Sequence, residues 1–196
     1  MTTSTNTPNF SIHPHKFNLW IGIAGMVMMF AAFTSAFVVK KADVNNWLEV
    51  GLPSLFWVSS VVIVASSVTM HLTLRGFKTN KLGQYKTMMM ATTILGVAFM
   101  VTQIFAWKEM LFDGVRLDGN ASGSFLYVIS GVHLVHAFAG VVALIAFFVI
   151  AQTKYKRKED IERANQEKRV GVELLATYWH FVDVLWIYLF VFFLLN

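Results

Sequence analysis

The sequence contains no cysteine, which excludes iron–sulfur clusters, thiolate metal sites and disulfides within this chain. Charged residues are also scarce, because Asp, Glu, Lys and Arg together make up 14% of it, against roughly a quarter in soluble domains. Only three prolines occur, and none interrupts a long apolar run. This disfavours a small transporter, since transporter sites are commonly built on broken helices.

Apolar residues make up 56% of the sequence and are concentrated in five runs. The runs cover residues 19–39, 53–74, 88–107, 125–150 and 174–195. Each run can cross a hydrocarbon core about 30 Å thick, and a backbone in lipid must satisfy its own hydrogen bonds. The sequence therefore predicts an all-α fold, a polytopic membrane helical bundle with five transmembrane helices. We expect a polar N-terminal tail at residues 1–18 and a single transmembrane domain over residues 19–196.

The positive charges flank the apolar runs, so they indicate membrane orientation and not a nucleic-acid surface. Of 16 Lys and Arg residues, 12 lie in the N-terminal tail and in the second-to-third and fourth-to-fifth connections. The other 4 lie on the opposite side. The positive-inside rule then predicts a cytoplasmic N-terminus and a C-terminus on the outer face.

Ionisable side chains within the apolar runs are costly, because an Asp at the centre of a membrane helix costs roughly 2.5–3.5 kcal/mol. The last two runs contain His133, His136, His180 and Asp183, and His71 lies near the end of the second. At about 1.5 Å per residue, His136 and Asp183 lie at nearly the same depth. We therefore expect the Asp183 carboxyl to bond or pair with a histidine, either His180 or His136.

Three functional interpretations of these residues can be weighed: a metal site, a haem site and a proton relay. His133 and His136 stand three apart on one helix, but zinc and iron sites usually need more ligands than this depth offers, so no metal site is predicted. A haem b-bearing anchor of a respiratory complex stays an alternative, although bis-histidine ligation needs facing pairs on two helices. The intramembrane histidines and the aspartate could also form a proton relay, but structural polar contacts between helices are favoured. Small residues in the fourth run suit close helix packing: Ser130, Gly131, Ala137, Ala139 and Gly140.

Several segments resemble the haem–copper oxidase subunit III family in its short, five-helix bacterial form. The segment Tyr178-Trp179-His180-Phe181-Val182-Asp183-Val184-Leu185-Trp186 is similar to the C-terminal signature of that family, with Glu173 seven residues before His180. Gly131-Val132-His133-Leu134-Val135-His136 resembles its glycine–histidine–histidine segment, and Gln103 followed by Glu109 resembles another. The first run is similar too, through Trp20, Met28-Met29-Phe30-Ala31-Ala32 and Ser35-Ala36.

The resemblance implies an accessory subunit of a proton-pumping terminal oxidase, in which oxygen is reduced to water. It implies that haem and copper belong to partner subunits I and II, and that this chain holds no redox centre. It further implies support of proton uptake, a bacterial inner membrane, a place in a larger respiratory supercomplex, and phospholipid bound in a cleft between the first two and last three helices. Two positions depart from the family pattern, because Met26 and Ala106 stand where acidic residues are usual. A role that depends on those carboxylates is therefore not implied for this chain.

Overall fold

The computed structural model describes residues 14–42, 47, 50–117, 119–167 and 169–196. Within these residues the chain forms six α-helices and no strand. They are α1 (Pro14–Lys41), α2 (Leu55–Lys78), α3 (Leu82–Phe112), α4 (Ala121–Lys154), α5 (Lys158–Glu167) and α6 (Arg169–Leu195). All except α5 are long and apolar enough to cross a membrane. The predicted all-α membrane fold with five spanning helices is confirmed.

The spanning helices extend beyond the apolar runs, most clearly at α1. Residues 14–18, which were predicted to belong to the polar tail, are helical, and α1 begins at Pro14. Proline suits the first position of a helix because its missing N–H would have no helical acceptor there. Residues 1–13 of the predicted tail lie outside the described part of the chain. Helices α3, α4 and α6 likewise continue through polar flanks, which hydropathy alone does not assign to a helix.

Helices α2 and α3 form the most extensive helix pair, an antiparallel hairpin closed by a short turn. Gly76 makes the close approach possible, because a Cβ atom there would lie 2.9 Å from the backbone nitrogen of Tyr85. Asn80 occupies the turn with a φ of 55°, a left-handed conformation that asparagine tolerates better than most residues. Helix α6 then packs against α2 and α4, and α4 packs against α3.

Helix α1 packs mainly against α4 and α6, at the edge of the four-helix group formed by α2, α3, α4 and α6. The expected division between the first two and the last three helices is therefore wrong for this chain. Helix α2 belongs with α3 and α6, because the hairpin turn after Lys78 is too short to separate α2 from α3. A groove lies instead between α1 and α2, with α6 as its floor.

The short helix α5 lies in the connection between α4 and α6. In its first turn, the Asp160 carboxylate accepts hydrogen bonds from the backbone N–H groups of Lys156 and Arg157 at 3.0 and 2.8 Å. These bonds, the one to Arg157 first, hold the pKa of the Asp160 carboxyl below its ordinary value. Ile161 and Ala164 are buried, so one face of α5 is held by apolar contacts against the bundle.

Candidate functional site

Trp179 lies at the centre of the bundle and joins four helices. Its indole is fully buried and is enclosed by glycines on two neighbouring helices. A Cβ at Gly96 of α3 would lie 3.0 Å from the indole, and one at Gly140 of α4 would lie 2.8 Å from it. The indole Nε1 donates to the Ser66 hydroxyl of α2 at 2.9 Å. The glycines thus create the space for the ring, and the serine satisfies its one donor.

Trp186 repeats this arrangement two turns further along α6. Its Nε1 donates to the Ser60 hydroxyl of α2 at 3.1 Å. Its ring packs edge-on against Phe56 and Phe99, with centroids 5.2 and 5.3 Å apart. A buried tryptophan usually finds a partner for its N–H, and in both cases that partner is a serine of α2.

Serines of α2 form a polar stripe that the sequence analysis missed. They occur as two pairs seven residues apart, Ser59–Ser60 and Ser66–Ser67. Besides the two indoles, the stripe binds Gln103 of α3, whose Nε2 donates to Ser59 at 3.0 Å, and His180 of α6, whose Nδ1 lies 2.7 Å from the Ser67 hydroxyl. The seven-residue repeat inside an apolar run was the available signal, because such spacing places the pairs on one helix face.

His133 is enclosed by aromatic rings. It is fully buried, and its centroid lies 5.2, 5.8 and 6.4 Å from the ring centroids of Trp186, Phe99 and Phe30. Neither of its nitrogens has a hydrogen-bond partner among the described residues. Aromatic rings from α1, α3 and α6 thus pack around the imidazole.

The Asp183 carboxyl is buried but does not bond to either histidine that was expected to partner it. Neither carboxylate oxygen has a hydrogen-bond partner within the described chain, although the Ser67 hydroxyl approaches the group. His136 Nδ1 bonds instead to the backbone carbonyl of Val132 at 2.8 Å, and its ring faces Phe30 of α1. The predicted pairing is wrong because matched depth does not determine the direction in which each side chain leaves its helix. His180, on the same helix as Asp183, turns toward Ser67.

Glu109 lies away from this interior, near the C-terminal end of α3. Its carboxylate accepts from the backbone N–H and the hydroxyl of Ser54 at 2.9 and 2.8 Å, and from the N–H of Leu55 at 3.4 Å. A carboxylate at a helix N-terminus satisfies free N–H groups and opposes the helix dipole. Glu109 therefore fastens the start of α2 to the end of α3.

Glu173 lies at the opposite end of the bundle and is surrounded by three cations. Lys16 of α1 and Arg169 of α6 approach it at 2.9 and 2.8 Å, and Lys78 of α2 at 3.5 Å. One carboxylate cannot neutralise three cations, so a net positive charge remains. Lys16, Lys78 and Glu173 line a cavity of about 310 Å³ in the groove between α1 and α2, together with Leu19, Trp20, Leu74, Leu174 and Thr177.

The predicted polar residues thus fall into separate groups. Six lie in the bundle interior: Gln103, His133, Trp179, His180, Asp183 and Trp186. His136 lies at the seam with α1, while Glu109 and Glu173 lie at opposite ends. In the described part of the chain, no three His, Asp or Glu side chains are grouped in a way that could hold a metal ion.

This geometry defines a polytopic membrane protein whose interior polar groups mostly join one helix to another. A family profile described as cytochrome c oxidase subunit III matches residues 16–195. The chain is 26% identical to a probable cytochrome c oxidase subunit 3 of Nocardia farcinica, over 97% of both chains. It is 25% identical to cytochrome c oxidase subunit 3 of Synechocystis, over 96% of this chain and 81% of the relative.

The chain belongs to the cytochrome c oxidase subunit III family. It is an accessory subunit of a haem–copper oxidase and associates with other subunits of that complex. Among the interior residues that carried the resemblance, Trp179, Trp186 and His180 bond α6 to α2, and Gln103 bonds α3 to α2.

Proposed function

We propose that this chain stabilises the oxidase without holding a redox centre, and that its partners are subunits I and II, which carry haem and copper. The observation that carries the proposal is that most interior polar groups form hydrogen bonds between helices. Trp179, Trp186 and His180 are each bonded to a serine of α2, so they hold helices together. The enclosure of His133 by three aromatic rings also argues against the haem b-bearing alternative.

The test is purification of the tagged chain from membranes, followed by mass spectrometry of the proteins that accompany it. The expected result is co-purification with the haem- and copper-bearing subunits I and II. Recovery of the chain with a different respiratory complex, or without any oxidase subunit, would contradict the proposal. Co-purification of the subunits of a second respiratory complex together with the oxidase would support the proposed supercomplex.

Phospholipid binding is proposed for the groove between α1 and α2. The supporting observation is the cluster of Lys16, Lys78 and Arg169 around one carboxylate, beside an apolar wall. The positive charge suits a phosphate group, and Leu19 and Leu74 suit the start of an acyl chain. The cluster also lies on the side with more Lys and Arg, which supports a cytoplasmic N-terminus in a bacterial inner membrane.

The same subunit is proposed to support proton uptake by the oxidase at the inner surface. Seven cationic residues lie in the fourth-to-fifth connection and its flanks, from Lys154 to Arg169, next to the Glu173 cluster. Because Met26 and Ala106 replace acidic residues of the family, this support would act through the inner surface and the stability of the complex. Oxidase containing and lacking the chain can be compared by proton uptake per oxygen consumed; identical uptake would contradict this part of the proposal.

A further inference from the structure

Four polar side chains meet at the seam between α2 and α6, and we call Ser67, His71, His180 and Asp183 the seam cluster. Ser67 bonds to His180 at 2.7 Å and approaches the buried Asp183 carboxyl. His71 lies one turn beyond Ser67 on α2, the helix that packs against α6. The cluster therefore runs from the bundle interior to its surface.

His71 is the exposed end of the cluster. It lies seven residues before Lys78, the last residue of α2, and so roughly 10 Å from the inner end of that helix. The structure gives its ring no hydrogen bond to any described residue. Lipid tails offer no hydrogen bond either, and ionisable side chains in membrane helices almost always face protein or a water-filled cavity.

N-terminal to His71, the same face of α2 is apolar and uncovered. Val61, Val64 and Val68 are 70%, 51% and 57% exposed, and together with His71 they follow the 3–4 spacing of one helix face. An apolar face of this kind can pack against a second helix in a membrane through van der Waals contacts. The face thus combines an apolar surface with His71, and Arg75 follows one turn closer to the end of α2.

The outer faces of α3 and α4 provide the contrast. At hydrocarbon depth, their exposed residues in the described chain are apolar, among them Ile94 and Val97 of α3 and Val135 and Val142 of α4. Such faces are suited to lipid tails. Among these helices, α2 is the one that presents a histidine to the membrane, backed by further polar groups.

We infer that this face of α2 is the docking surface for a transmembrane helix of a partner oxidase subunit, which presents a hydrogen-bonding side chain to His71. The inference rests on the proposed function, since it assigns one contact surface of the subunit within that complex. Contact with the partner satisfies the His71 ring, and the three valines N-terminal to it provide van der Waals packing. The seam cluster then links that contact to the interior of this chain.

The first test leaves His71 intact and uses photocrosslinking in the complete complex. A photoreactive amino acid replaces Val68 on the proposed surface and, as a matched control, Ile94 on α3, which is similarly exposed at 59%. The expected result is a crosslink from position 68 to a transmembrane segment of an oxidase partner, with lipid adducts alone from position 94. Lipid adducts alone from position 68 would overturn the inference.

The second test compares His71→Leu with Thr87→Leu, a polar-to-apolar change at an exposed position near the inner end of α3. Loss of one interhelical hydrogen bond should speed release of the chain from the solubilised complex about 3- to 30-fold, whereas Thr87→Leu should leave release unchanged. If His71 faces lipid, the leucine variant will be retained as well as or better than the unaltered chain. If no oxidase subunit accompanies the unaltered chain, the proposed function fails instead.

Discussion

The Gly140→Ala substitution offers the sharpest test of the packing around Trp179. A Cβ at position 140 would lie 2.8 Å from Cζ3 and 2.9 Å from Cε3 of the indole. The ring cannot withdraw easily, because it also packs against Gly96, where an added Cβ would lie only 3.0 Å from the indole, and because its Nε1 is bonded to Ser66. Overpacking of this kind costs about 1–3 kcal/mol. We therefore expect Gly140→Ala to destabilise the bundle despite the better helix propensity of alanine.

Gly131→Ala is the matched control on the same helix. A Cβ there would lie 3.6 Å from the nearest atoms of Trp107, which is an ordinary van der Waals contact. This substitution should therefore be neutral, or stabilising by up to about 1 kcal/mol through helix propensity. The comparison holds the chemical change and the helix constant and varies only the space available.

The assay is the temperature at which the tagged chain separates from the solubilised oxidase, followed by size-exclusion chromatography after heating. A loss of about 1–2 kcal/mol corresponds to a midpoint lower by about 2–8 °C for a domain of this size. Gly131→Ala should keep the midpoint of the unaltered chain or raise it. Equal midpoints for the two variants would refute the proposed slot.

Three further predictions concern other contacts. Glu109→Gln should lower the thermal midpoint, because removing the charge from the start of α2 weakens a cap worth about 0.5–2 kcal/mol; Asp113→Asn is the control, and an equal effect of both would contradict the capping role. In a double-mutant cycle, Trp186→Phe and Ser60→Ala should show a coupling of about 0.5–1.5 kcal/mol, and strict additivity would exclude their hydrogen bond as a source of stability. Lys78→Gln should reduce the phospholipid that phosphorus analysis finds in the purified complex, whereas Lys154→Gln should not; unchanged lipid in both variants would count against the groove.

The sequence predicts the spanning helices well because hydropathy is a local property. Each of the five apolar runs is long enough to require a helix, and five helices of the structure meet the criteria for a span. Helix ends are less accessible to this reasoning. Residues 14–18 lie outside the apolar run but are helical, since a helix can continue beyond the hydrocarbon core.

The contacts of the site residues could not be predicted from their depth in the membrane. Counting residues places His136 and Asp183 at similar depth, but His136 faces Phe30 while Asp183 lies near Ser67. The direction of a side chain around its helix depends on packing with every neighbour. The resemblance pointed to histidines and tryptophans. The serines of α2 that bind them could be predicted only from their seven-residue repeat.

Ala139 and Gly140 illustrate the same limit within one segment. Both are small residues in a run that suits close packing, yet Gly140 is buried against Trp179 and Ala139 is exposed. Composition therefore predicts that α4 packs closely, and the structure determines which of its faces does so.

The central claim is that this chain stabilises a haem–copper oxidase without holding a redox centre. The most direct measurement compares oxidase purified with and without the chain, by haem and copper content per subunit I and by activity over successive turnovers. The account predicts unchanged haem and copper and measurable initial activity, with a faster loss of activity when the chain is missing. Loss of a haem or a copper on removal of the chain, or an oxidase equally durable without it, would contradict the account.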